Sequence, residues 1–331
     1  MKKLSLILCA FILFSSHDMF LKMDTYYLPA HASVDIKLYN GTFEKSENVI
    51  ARNRMADVSL IGHGARIQID SSHWTEADDM TILSFETGEP GTWVAGLSTF
   101  PRNIELAAAD FNNYLEHDGV LDMLKWRQDN NAMDEDAIEK YSKHVKAIFQ
   151  VGEQNTNDWQ TALGYPIEFI PINNPATLHE GESLEVELLW RGQPLPNQLV
   201  YVGSDHATHD HLDAHKRHDE AHGDHTHGFN QQYRTDASGH LSVPISSNGI
   251  WYLRTIHLDI SKESGLTHES NWATLTFEIG HSHGGISHRH VHSDEHAHSH
   301  DGEDEFPTTL FLIGSVVLFA GLFFWFNRKS A

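Results

Sequence analysis

Cysteine is almost absent: the 331-residue chain has one, Cys9. It lies in a short apolar run at the N-terminus, after Leu8 rather than after the small residue a lipoprotein signal needs. A chain processed beyond this run would have no thiol, which excludes disulfides, Cys-type zinc sites and thiolate clusters. Basic side chains are also scarce, 23 against 46 acidic, for a formal net charge of −23. That balance excludes the Lys/Arg stripes that nucleic acid requires. Catalytic signatures are missing too. There is no Gly-rich phosphate loop or dinucleotide fingerprint, and Asp236-Ala237-Ser238-Gly239 is a turn without the strand–elbow–helix context of a nucleophilic serine. The chain therefore reads as non-enzymatic.

Long apolar runs occur only at the two ends. Lys2 and Lys3 precede an apolar stretch at 4–14, too short to span a bilayer and followed by Ser15 and Ser16. This is the pattern of a signal peptide over 1–16, cut after Ser16. At the other end, residues 307–326 form 20 uncharged positions, the length of a membrane-spanning helix. Arg328 and Lys329 follow, and acidic Asp301, Glu303, Asp304 and Glu305 precede. The positive-inside rule places 327–331 in the cytoplasm and the bulk of the chain outside, as a single-pass protein of the cell membrane.

Between the ends, an apolar fraction of 40% is enough to build cores. Alternating apolar and polar residues predict strands at 33–39, 65–69, 80–85 and 91–97, with helices at 104–116 and 134–147. From 166 onward, strands are expected at 166–171, 183–190, 198–202, 232–235, 240–245, 249–257 and 272–279. Turn residues such as Arg191-Gly192-Gln193-Pro194 punctuate them. The expected fold is mainly β, with two β-sandwich-like domains (17–165, carrying a small helical insertion, and 166–280) and one C-terminal transmembrane helix.

Histidine is what the chain has in excess, 26 residues, of which 16 lie in two low-complexity segments. Neither segment has the apolar side chains to fold alone. The loop at 205–227 holds His206, His209, His211, His215, His218, His222, His225 and His227. Five of these recur at steps of 4, 3, 4 and 3, one face of a helix were it to form. The acidic linker at 281–306 holds His281, His283, His288, His290, His292, His296, His298 and His300, largely as H-x-H runs that share one side of an extended chain. Neutral imidazole is the commonest ligand for Ni, Co, Zn and Cu, so both segments read as multivalent sites for a divalent transition metal ion. A sharper site is expected at His17, which cleavage after Ser16 would leave as an N-terminal amine–imidazole chelate. His257 and His268 are its candidate partners, His63 a more distant one, and Met19 and Met23 offer soft ligation. His31, His73, His117, His144 and His179 are isolated and read as surface or core.

His17-Asp18-Met19-Phe20-Leu21 opens a series of short motifs: FNNYL at 111–115, EKYSKHVKA at 139–147, GYPIE at 164–168, PINNP at 171–175, TDASG at 235–239, WYLRTIH at 251–257 and ESNWATLTF at 269–277. In this order they resemble the exported family called domain of unknown function 4198, associated with the periplasmic component of nickel and cobalt uptake. The resemblance covers about 17–279. It implies a role beside an inner-membrane metal permease, with His17 and His257 as sites. Gly192-Gln193-Pro194-Leu195-Pro196 and the later Thr-Asp-x-x-Gly turn also resemble the transthyretin-like, carboxypeptidase-regulatory sandwiches, which implies a non-catalytic second domain. The expected function is that of an extracytoplasmic, membrane-anchored metal-binding protein accessory to metal uptake or homeostasis. A surface adhesion or scaffold module is the alternative.

Overall fold

The computed structural model describes residues 17–205 and 231–280. The expected signal peptide, most of the His-rich loop, the linker and the expected span at 307–326 lie outside them. Among the described residues no helix is long and apolar enough to cross a membrane.

The chain is mainly β, with two short helices. The first part contributes β1 (Asp18–Lys22), β2 (Tyr27–Leu28), β3 (Ser33–Gly41), β4 (Met55–Gly62), β5 (Ala65–Gln68), β6 (Trp74–Ala77), β7 (Met80–Glu86), β8 (Gly91–Thr99) and β9 (Arg102–Leu106). Then come α1 (Ala108–His117), α2 (Leu121–Asp129) and the long β10 (Ala137–Val151). The remainder supplies β11 (Ile167–Pro171), β12 (Ser183–Trp190), β13 (Gln193–Pro194), β14 (Leu199–Ser204), β15 (Gln231–Arg234), β16 (His240–Pro244), β17 (Gly249–Ile260) and β18 (His268–Ile279).

Three sheets result. A large central sheet runs β15-β14-β17-β18-β10-β8-β4-β5, with β2 and β9 also paired to β10. One small sheet is ordered β1-β3-β7-β6, and another is built on β12 with β11, β13 and β16. Strand alternation sends successive side chains of the central sheet to opposite faces. Val145, Ala147, Phe149 and Val151 of β10 join Leu60, Trp93 and Leu97 in a core against Leu21, Ile36, Leu38 and Leu83 of the first small sheet. On the other face Ile148, Val94, Leu253, Leu275 and Phe277 pack against Phe169, Leu184, Val186 and Leu188 of the second. The helices cover the first face farther along, through Phe111, Leu115, Ile256 and Trp272. Each such side chain, fully buried, contributes roughly 1.5–3 kcal/mol.

The pivot is β10, which pairs parallel with β18 from Glu139↔His268 to Ala147↔Thr276. One sheet thus crosses the expected domain boundary at 165/166, and the described residues fall in one compact unit. The helix expected at 134–147 is instead this strand. Its sequence mimics an amphipathic helix because Lys143, His144 and Lys146 interrupt the apolar positions, yet all three are buried. The helix expected from 104 begins at Ala108, since 102–106 forms β9 and pairs with β10.

A polar cleft on the central sheet and the predicted histidines

Where the second small sheet stops covering the central one, the inward face changes from apolar to polar. Strand positions that carry Ala273 and Leu275 in the core carry Asn271 and Glu269 here. The parallel register sets Ser142 beside Asn271 and Lys140 beside Glu269, while the antiparallel one sets His257 beside Asn271 and Asp259 beside Glu269. A cleft of about 580 Å3 opens over this array, with Trp190, Arg191, Tyr165 and Leu189 among its walls.

Most of its buried polar groups are answered. Ser142 Oγ donates to Asn271 Oδ1 at 2.9 Å, and His144 Nε2 lies 3.1 Å from Ser142 Oγ and 3.2 Å from Asn271 Oδ1. Ser98 Oγ lies 2.9 Å from His144 Nδ1. Two serines and an amide thus hold a neutral imidazole, and burial keeps its pKa down at about 4. Beside it, Lys146 Nζ donates to Glu168 Oε2 at 3.2 Å, and Glu168 also accepts from the backbone N–H groups of Leu163 and Gly164.

His257 and His268, the candidate partners of His17, lie on opposite faces of the central sheet. His257 lies on the cleft face. Its Nδ1 is 3.0 Å from Gln198 Oε1, its Nε2 is 3.1 Å from Asp259 Oδ2, and its ring packs on Trp190 at 4.7 Å. Burial lowers its pKa, against the pull of Asp259. His268 faces the opposite side of the sheet, against Phe111, with Nδ1 2.7 Å from Thr267 Oγ1 and Nε2 without a hydrogen-bond partner among the described residues. Burial, then the nearby Arg127, lowers its pKa to about 4. His17 stands just before β1, with Nδ1 3.2 Å from Glu47 Oε2. His63 sits in the β4–β5 turn beside Trp93. Among the described residues no group of three or more His, Cys, Asp or Glu has metal-holding geometry. All the predicted ligands from His206 to His227 and from His281 to His300 lie outside the described residues.

A buried charge cluster has no counterpart in the sequence reading. Arg254 Nε donates to Asp18 Oδ1 at 2.6 Å, and Arg254 Nη1 donates to the Asp118 carbonyl at 2.7 Å. Lys143 Nζ donates to the carbonyl of His17 and lies over the Trp272 ring. Burial holds the Lys143 pKa down at about 8, despite the pull of Asp18 and Asp118. Glu139 accepts from Ser270 and Tyr114. The cluster fastens β1 and the helical pair to the central sheet.

Fold and site together define a three-layer, largely β protein with a cleft on its central sheet and a clamped first strand. The chain belongs to the domain of unknown function family DUF4198, whose model matches residues 14–259. No curated protein matches it. Among solved structures, the D0-D1 domain of Intimin is similar at 11% identity, covering 78% of this chain and 97% of that one, with a TM-score of 0.18. The Yersinia pseudotuberculosis adhesin InvE is similar at 13% identity, covering 78% and 58%, with a TM-score of 0.16. A Salmonella alpha-2-macroglobulin mutant is similar at 7% identity, covering 78% and 15%, with a TM-score of 0.22. Likenesses this distant bear on neither ligand nor partner.

Proposed function

We propose that this member of the family is an exported, single-pass membrane protein that captures divalent transition metal ions on its His-rich segments and passes them toward a permease. In this reading 1–16 is removed, 307–326 spans the membrane, and the three-layer body is a scaffold whose two halves are sandwich-like. The observation that supports it most is where the described chain leads into each segment. Ser204, the last residue of β14, stands opposite Trp251 of β17, which stands opposite Phe277 of β18. The loop therefore departs after Asp205 and the linker after Gly280 from the same end of the central sheet. Their strands are two spacings apart, about 10 Å. The loop returns at Gln231, which pairs with Val202, so its two ends are held side by side. Sixteen imidazoles in the two segments offer many exchanging ligands to an ion that reaches this end of the sheet.

The test is equilibrium dialysis of the full chain against Ni, Co, Zn and Cu. Several ions per chain are expected. Deleting 206–230 or 281–300 should each remove ions. Undiminished binding after both deletions would reject the segments as sites.

A further inference from the structure

The cleft on the central sheet contains polar groups that the fold itself leaves open or only loosely paired. Asn271 is 3% exposed, and its Oδ1 is taken by Ser142 and His144. Its Nδ2 hydrogen-bonds nothing among the described residues and is not sealed from solvent, so it opens on the cleft. The Arg191 guanidinium stacks on Trp190 at 4.6 Å and reaches Glu269 Oε1 only at 3.6 Å, beyond a good hydrogen bond. Glu269 Oε2 is likewise 3.9 Å from Lys140 Nζ, which Glu263 holds more closely. Arg191 is also set at a backbone cost. It and Gly192 form the two-residue turn between β12 and β13, both with positive φ, 51° and 74°. Asn or Gly would adopt that conformation more readily than a long side chain. Strain of this kind points to a use for the side chain.

The cleft therefore offers donors on one side and a loosely paired carboxylate on the other, between aromatic and aliphatic walls. Glu269 and Asn271 lie two residues apart on one strand face, about 6.6 Å. An extended dipeptide spans about 7 Å. A bare metal ion does not suit the place, because Lys140 and Arg191 already balance Glu263 and Glu269 and an ion would add net positive charge, whereas a zwitterion adds none. A polyanion does not suit it either, because Glu263 and Glu269 offset the two cations.

We propose that this cleft binds a small apolar zwitterion of dipeptide size, with its ammonium on Glu269, its carboxylate on Asn271 Nδ2 and Arg191, and its side chains against Trp190, Tyr165 and Leu189. This binding is independent of metal capture by the His-rich segments.

Titration calorimetry of the full chain in detergent micelles, with leucyl-leucine as the probe, tests it. Saturable binding of one equivalent is expected. N-acetylation of the probe and Glu269→Gln should each weaken binding at least tenfold, and acetylation should cost the Glu269→Gln variant little more. C-terminal amidation and Arg191→Asn should act as the corresponding pair. Asn tolerates the left-handed turn, so Arg191→Asn keeps the fold. The capped probes read the same contacts in the unmodified protein, whatever the variants do. Ion stoichiometry in dialysis should be unchanged in both variants. Absence of saturable binding, or equal affinity for free and capped probes, would overturn the proposal.

Discussion

Glu139 offers the most quantitative test of the buried cluster. The residue is 2% exposed, and burial pushes its carboxyl from 4.5 up to about 7, against the help of Ser270, Tyr114 and Lys143. A carboxyl whose folded-state pKa is raised binds its proton more tightly in the native protein than in the unfolded chain. The contribution of Glu139 to stability is therefore greatest below pH 4.5, declines as the pH rises to about 7, and is flat above. Each pH unit in that window is worth about 1.4 kcal/mol for one proton, so the interval from 4.5 to about 7 amounts to about 3 kcal/mol. Glu139→Gln removes the titration but keeps an oxygen acceptor for Ser270 and Tyr114. The variant should match the parent near pH 4.5 and exceed it by up to about 3 kcal/mol at pH 7.5, less the lost attraction to Lys143. Urea unfolding of both chains in micelles at pH 4.5, 6 and 7.5, followed by circular dichroism, gives the difference directly, and titrations common to both cancel. Parallel pH profiles for parent and variant would refute the reasoning.

Asp18→Ala strips the closest counter-charge from the buried Arg254 guanidinium and should cost about 3–5 kcal/mol in the same unfolding assay. Asp18→Asn, which keeps an acceptor, should cost less. Gly119 follows α1 with φ at 70°, and a Cβ there would meet Tyr201 Oη at 2.1 Å. Gly119→Ala should therefore destabilise by about 2 kcal/mol or more, seen as a lowered urea midpoint, and Tyr201→Phe should not rescue it fully because the backbone strain stays.

How much of this was legible in the sequence differs by feature. The strand positions were, wherever one face is apolar and the other polar: β3, β7, β12 and β18 each carry that alternation or a plain β-rich run. The register was not. The pairing of β10 with β18 joins residues about 130 apart, Ser142 with Asn271 for example, and no local pattern encodes a partner at that distance. β10 itself was misread because its polar residues are buried with specific partners: Lys143 with the His17 carbonyl, His144 with Ser98 and Ser142, Lys146 with Glu168. Periodicity assumes that polar means exposed, and here it does not. His257 and His268 stood out by residue type, but the pleat sends them to opposite faces of one sheet. Arg191-Gly192 was legible as a turn but not as the wall of a cleft, which depends on the second small sheet ending there.

One face of the central sheet separates structure from site. Lys146, His144 and Ser142 lie in a row on β10, equally buried, and each spends its polar atoms on a neighbour within the fold. An isolated buried ion or amide is costly, so such groups persist only where their partners are supplied, and these are. On the same face the Asn271 amide nitrogen opens on the cleft, and the partly exposed Arg191 and Glu269 charges pair only loosely, at 3.6 Å. Groups held open beside satisfied ones, at the point where the covering sheet lifts away, are where a bound molecule would complete the set, and capped and uncapped probes can decide whether one does.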